Sequence, residues 1–78
     1  MKCWIYKGSK AFDTYVYLPG PIDQNPLPRV LASRMGTTEL VMELELTADR
    51  KLARTDVATV MAAIENQGFY LQMPPPRT

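Results

Sequence analysis

The sequence has no histidine, one cysteine, one tryptophan and four glycines among its 78 residues. Without histidine, the chain lacks the commonest general base near neutral pH and the commonest metal ligand. The lone Cys3 cannot close an intramolecular disulfide or form a Cys-x-x-Cys pair, and a single thiol fits a reducing compartment. There is no glycine-rich phosphate loop: Gly8-Ser9-Lys10 has the look of the tail of one, but the upstream glycine is missing and no helix follows. No apolar run approaches the roughly 18 residues of a membrane span, and Met1–Lys7 is too short an apolar run for a signal peptide. A cytoplasmic protein is expected, with no membrane association. Neither charge sign dominates. Nine Lys and Arg stand against eight Asp and Glu, a net charge of +1, so no overall field argues for or against nucleic acid.

What is present is ordinary for a folded domain, with 46% hydrophobic and 22% charged residues. A chain of this size forms one domain, 1–78, that buries only about 60–65% of the surface its unfolded chain exposes, so its core is thin. Residues 2–7 alternate, Cys3 and Ile5 against Trp4 and Tyr6, and residues 14–18 alternate again, Val16 and Leu18 against Tyr15 and Tyr17. Two such runs joined by about six residues predict a β-hairpin. Pro19-Gly20-Pro21 breaks the second strand. Asn25-Pro26 then reads as a helix start, with Leu27, Val30, Leu31 and Met35 on one face and Gly36 as the stop.

Residues 39–46 alternate, placing Leu40, Met42, Leu44 and Leu46 on a buried face and Val41, Glu43 and Glu45 on a wet one. Glu, Leu and Met are also good helix formers, but the alternation favours a strand. A charged connector follows, with Leu52 as its inward anchor. Thr55 is placed to cap a helix over 56–67 in which Val57, Val60, Met61 and Ile64 follow helical spacing, and Gly68 closes it. Phe69, Leu71 and Met73 alternate with Tyr70 and Gln72 in a last strand. The run Pro74-Pro75-Pro76 stops that strand and begins an extended proline-rich tail, 74–78. The expected fold is α/β (α+β) in the order β-β-α-β-α-β. It is a two-layer sandwich with a four-stranded mixed sheet and both helices on one face. The last two strands should be parallel through a right-handed crossover.

If both helices cover the aliphatic side, Trp4, Tyr6, Tyr15, Tyr17 and Tyr70 gather on the other face with Gln72, Glu43 and Glu45. Such a face can be plain cross-strand pairing, a protein contact or a platform for stacked bases. Lys2, Lys7 and Lys10 lie near one edge and could meet phosphates or an acidic partner. Arg50, Lys51 and Arg54 precede the long helix, as a solvated connector or an anion contact. Glu43 and Glu45, two residues apart on one strand face, read as solvated side chains or as a carboxylate pair without a third ligand. Cys3 reads as a small core residue, and the triproline as a strand stop or a docking segment.

Several of these pieces carry a resemblance. Cys3-Trp4-Ile5-Tyr6-Lys7, Thr14-Tyr15-Val16-Tyr17, Leu40-Val41-Met42, Arg50–Val57 and, most specifically, Gly68-Phe69-Tyr70-Leu71-Gln72-Met73-Pro74-Pro75-Pro76 resemble the YcgL domain family of small bacterial proteins. The resemblance spans nearly the whole chain and implies a small cytoplasmic α/β domain. It carries over no activity, cofactor or catalytic residues. It departs at 19–25, where Pro19-Gly20-Pro21-Ile22-Asp23 stands in place of a more acidic and polar segment. Two functional expectations stay open. One is a non-enzymatic protein-interaction module, using the aromatic face or proline tail on a bacterial protein partner. The other is a nucleic-acid-binding accessory protein. No catalytic residue, cofactor or metal site is expected.

Overall fold

A computed structural model of the chain describes residues 1–47, 49 and 56–73. The expected order holds: β1 (Lys2–Gly8), β2 (Ala11–Leu18), α1 (Arg29–Met35), β3 (Thr38–Glu45), α2 (Val57–Gln67) and β4 (Tyr70–Gln72). The four strands form one sheet in the order β3-β1-β2-β4, and every pairing is antiparallel. The expected mixed sheet is therefore corrected. β4 does not return beside β3 in a parallel crossover; it adds to β2 at the opposite edge, with Val16 facing Leu71.

The two helices lie on opposite faces of this sheet, which corrects the two-layer arrangement. On one face Val57, Val60 and Ile64 of α2 pack with Cys3, Ile5, Tyr17, Leu44 and Leu46. On the other, Leu31 and Met35 of α1 pack with Tyr6, Val16 and Leu18, and Leu27, Phe69 and Leu71 join them. The cause is the hairpin register. Trp4 faces Leu18, Ile5 faces Tyr17 and Tyr6 faces Val16, so the aromatic side of β1 meets the aliphatic side of β2. Cross-strand partners share a face, and a one-residue offset exchanges every side chain between faces. Both faces thus carry large apolar groups and both need a cover. Phe69 and Leu71, expected beneath α2, lie on the α1 side instead.

The β1–β2 turn is tighter than expected, because β2 begins at Ala11 and only Ser9 and Lys10 intervene. The extra length sits inside β2 as a bulge: Lys7 faces Tyr15 but Gly8 faces Ala11. Asp13 in the bulge takes φ 56, a left-handed conformation that Asp tolerates better than most side chains. The turn locks onto the end of α1. Lys10 N donates to Met35 O at 3.0 Å and Ser9 N to Thr37 O at 2.9 Å, while Ser9 Oγ accepts from Thr37 N at 3.0 Å. Gly8 lies so close to the Met35 backbone that an added Cβ would overlap it.

Helix α1 begins later than Asn25-Pro26 suggests, with Pro28 as its cap residue. Leu27 precedes a proline, which disfavours helical dihedrals there and delays the start. Asn25 does not cap; its Nδ2 and its backbone N both donate to Pro21 O, closing a turn. With seven residues, α1 offers the sheet only the i, i+4 pair Leu31 and Met35, and Val30 is left 82% exposed. Helix α2 is capped by Asp56 through Thr59 N at 2.8 Å, and the expected cap Thr55 lies outside the described residues. Gly68 ends it at φ 88 as expected.

In β3, Ile5 faces Met42 but Tyr6 faces Leu40, so Val41 is bulged out and the alternation changes phase. Leu44 and Leu46 are buried on the α2 side as expected. Leu40 is transferred to the Tyr6 side, and Leu40, Val41 and Met42 are each 44–45% exposed. That corrects the expectation of a buried Leu40–Met42 stripe.

Candidate interaction surface

The five aromatic side chains expected on one open face are divided between two covered ones. Trp4 and Tyr6 lie on the α1 side, and Tyr15, Tyr17 and Tyr70 with Gln72 on the α2 side. Several are parts of the core. Tyr6 is buried, and its Oη accepts from Ile22 N at 3.0 Å, tying the 19–28 loop to the sheet. Tyr17 is buried, and its Oη donates to Gln72 Oε1 at 2.9 Å. Its ring meets Tyr70 edge-on, centroids 5.6 Å apart and planes at 81°. Burial, then the neighbouring Cys3 and Tyr70, push the Tyr17 phenol above its usual value. No single aromatic platform forms among the described residues, so the base-stacking reading loses the surface it needed.

The candidate cations are also dispersed. Lys2 is on the α1 side, where its Nζ lies 5.2 Å from the centre of the Trp4 ring and 3.0 Å from Glu43. Lys7 is on the α2 side, 3.8 Å from Glu39. Lys10 is in the hairpin turn, its stem against Gly36. An open cleft of about 470 Å³ follows the hairpin past Lys7, Lys10, Asp13 and Tyr15, and its charges are of both signs. Arg50, Lys51, Arg54, Leu52, Thr55 and the run Pro74-Pro75-Pro76 lie outside the described residues.

Glu43 and Glu45 sit on the exposed edge of the sheet. Glu43 pairs with Lys2, and Glu45 lies 2.9 Å from the amino group of Met1. Among the described residues no three acidic, cysteine or histidine side chains gather as a metal site. Cys3 is fully buried. Among the described residues, no helix is long and apolar enough to cross a membrane.

The surface that the alternation reading missed is the outer edge of β3. This eight-residue strand pairs with β1 on one side, and among the described residues no strand pairs with the other. Along it stand the half-exposed Leu40, Val41 and Met42, flanked by Glu39, Glu43 and Glu45. Exposed edges with apolar side chains are templates for another strand. A signal was available, since three consecutive apolar residues in an otherwise alternating strand put apolar groups on both faces of the sheet. A second exposed feature is Phe12, 87% accessible in the bulged part of β2.

Comparison with known proteins bears out the family resemblance. The model of the YcgL domain matches residues 3–75. A YcgL domain-containing protein of Thioalkalivibrio sulfidiphilus is 41% identical over 75 residues, covering 96% of this chain and 93% of the relative. One from Saccharophagus degradans is 46% identical over 72 residues, 92% and 79% of the two chains. One from Vibrio parahaemolyticus is 43% identical over 76 residues, 97% and 80%.

Proposed function

The chain belongs to the YcgL domain family, and from that premise we propose that it is a small non-enzymatic interaction module that docks on another bacterial protein. The observation that carries this reading is the half-exposed aliphatic run Leu40-Val41-Met42 on an eight-residue edge strand. A domain with so thin a core gains from burying such residues, and leaving them in water needs a reason. The chemical inventory supports a binding role. The chain has no histidine, its only thiol is buried, and its paired glutamates are engaged with cations. A single, fully buried thiol also suits a reducing compartment, and a cytoplasmic location is part of this proposal.

The experiment is affinity capture from nuclease-treated bacterial lysate with wild-type protein and with Met42→Lys. A partner retained by the wild type after nuclease treatment and lost with Met42→Lys supports the reading, provided the variant keeps the wild-type thermal midpoint. Capture that disappears with nuclease would favour nucleic acid, and capture unaffected by Met42→Lys would move the site off β3.

A further inference from the structure

We infer that the outer edge of β3 accepts an extended segment of its partner as an added antiparallel strand, and that this segment carries an apolar middle with a basic residue at each end. The inference rests on the interaction-module reading and specifies its partner. The argument begins with the strand that β3 already holds. On its inner edge it pairs with Lys2–Gly8, where Ile5 faces Met42, Tyr6 faces Leu40 and Trp4 faces Glu43. At the two ends of that apolar stretch Lys7 faces Glu39 and Lys2 reaches Glu43, at 3.8 and 3.0 Å. The inner partner is thus apolar in the centre and basic at both ends.

The outer edge offers the same side chains to a second strand. The bulge at Val41 puts Leu40 on the α1 side and Met42 on the α2 side, and all three aliphatic residues are half-exposed. A plain strand laid beside them therefore needs successive apolar residues, because it must cover apolar surface on both faces of the sheet. Its ends would lie near Glu39 and near Glu43 and Glu45, which are 46–74% exposed at the side chain and open to a second cation. Opposite charges across a strand pair are favourable and like charges are not.

A second copy of β3 fits poorly. Beside an antiparallel second copy, the three glutamates of each β3, Glu39, Glu43 and Glu45, would be gathered along one short edge, and β3 itself brings no cation to offset them. The glutamates that discourage self-pairing are the ones that select a basic segment.

The test titrates full-length, isotope-labelled protein with a synthetic peptide of residues 2–7 carrying Cys3→Thr, to about 1 mM. The comparison peptide also carries Lys2→Glu and Lys7→Glu. The expected result is amide shift changes concentrated on residues 38–45 with the basic peptide. Affinity should fall about 2–10-fold for the protein variant Glu39→Gln/Glu43→Gln and fall further with added salt. The acidic peptide should bind more weakly to wild type, and the glutamine variant should narrow the gap. The inference is overturned by no shifts on β3 at that peptide concentration, by equal binding of both peptides, or by β3 shifts that track protein concentration alone, which would mean self-association. Capture of a partner that is sensitive to Met42→Lys, together with a failed peptide titration, would leave the module reading standing and remove this one.

Discussion

Tyr17 packs in the core beneath α2, where its ring meets Tyr70 edge-on and its Oη donates to Gln72 Oε1. In the fold it is a buried hydrogen-bond donor. Replacing it with phenylalanine should cost about 0.5–1.5 kcal/mol at pH 7, the net worth of one such bond. Gln72 is half-buried, so water can serve its amide oxygen and hold the cost toward the lower end. The pH dependence has a definite sign. The folded phenol titrates above its ordinary value of 10.0, so the neutral form is the one the fold favours. That stability is present below pH 10 and is lost as pH rises through the folded value. Tyr17→Phe should therefore lose less stability than wild type between pH 7 and about pH 11, as measured by urea midpoints. A parallel decline of the two proteins would show that Tyr17 ionises without penalty.

The elements were legible where the deciding forces are local. Helix α2 was marked by Val57, Val60 and Ile64 at helical spacing and by Gly68 in the left-handed stop position, and it occupies nearly the expected span. It begins at Val57, one residue later than expected, and its N-cap is Asp56, whose carboxylate accepts from Thr59 N at 2.8 Å and from Thr59 Oγ1 at 2.9 Å. Those bonds, the backbone one first, hold the Asp56 carboxyl below its usual value of 3.8. A depressed carboxylate contributes stability above its unfolded value and loses it as pH falls through the folded one. Asp56→Asn keeps an acceptor for the cap but removes the charge at the positive end of the helix dipole. Wild type should accordingly be more stable than Asp56→Asn at pH 7. That advantage should shrink as pH drops below 3.8, read from denaturant midpoints at the two pH values. A constant difference would show that the charge is irrelevant to the cap. Strand β3 shows the opposite case. Its existence followed from alternation, but the bulge at Val41 redirected Leu40, and with it the exposed strip. The bulge lies where β3 has one more residue than β1 opposite it, a property of the pair rather than of either strand.

At the scale of the molecule, one sheet with a helix on each face divides a small chain into two thin cores. Leu31, Met35, Tyr6, Val16 and Leu18 form one, and Val57, Val60, Ile64, Cys3, Ile5, Tyr17, Leu44 and Leu46 the other. Apart from Tyr6 and Tyr17, which alternation puts on the open face, sequence reasoning gathers these residues correctly as buried but joins them in a single layer, because it matches aliphatic with aliphatic across the hairpin. The register matches aromatic with aliphatic instead, which spreads bulk evenly and leaves each helix a full face to cover. The same offset dissolved the expected aromatic platform and shifted attention to an edge. Two cores separated by a sheet share no side-chain contacts directly, so changes to them should add. Leu31→Ala should cost about 2 kcal/mol, the low end for a buried leucine because α1 is short and its surroundings can settle, and Ile64→Val about 1 kcal/mol. The double variant should lose the sum to within about 0.5 kcal/mol. All three proteins should unfold in one transition, because a single sheet underlies both cores. Urea unfolding followed by both far-UV circular dichroism and Trp4 fluorescence provides the check. Coupling above about 1 kcal/mol would mean that the strands carry strain from one face to the other, and separate transitions would mean that either helix can leave while the sheet persists.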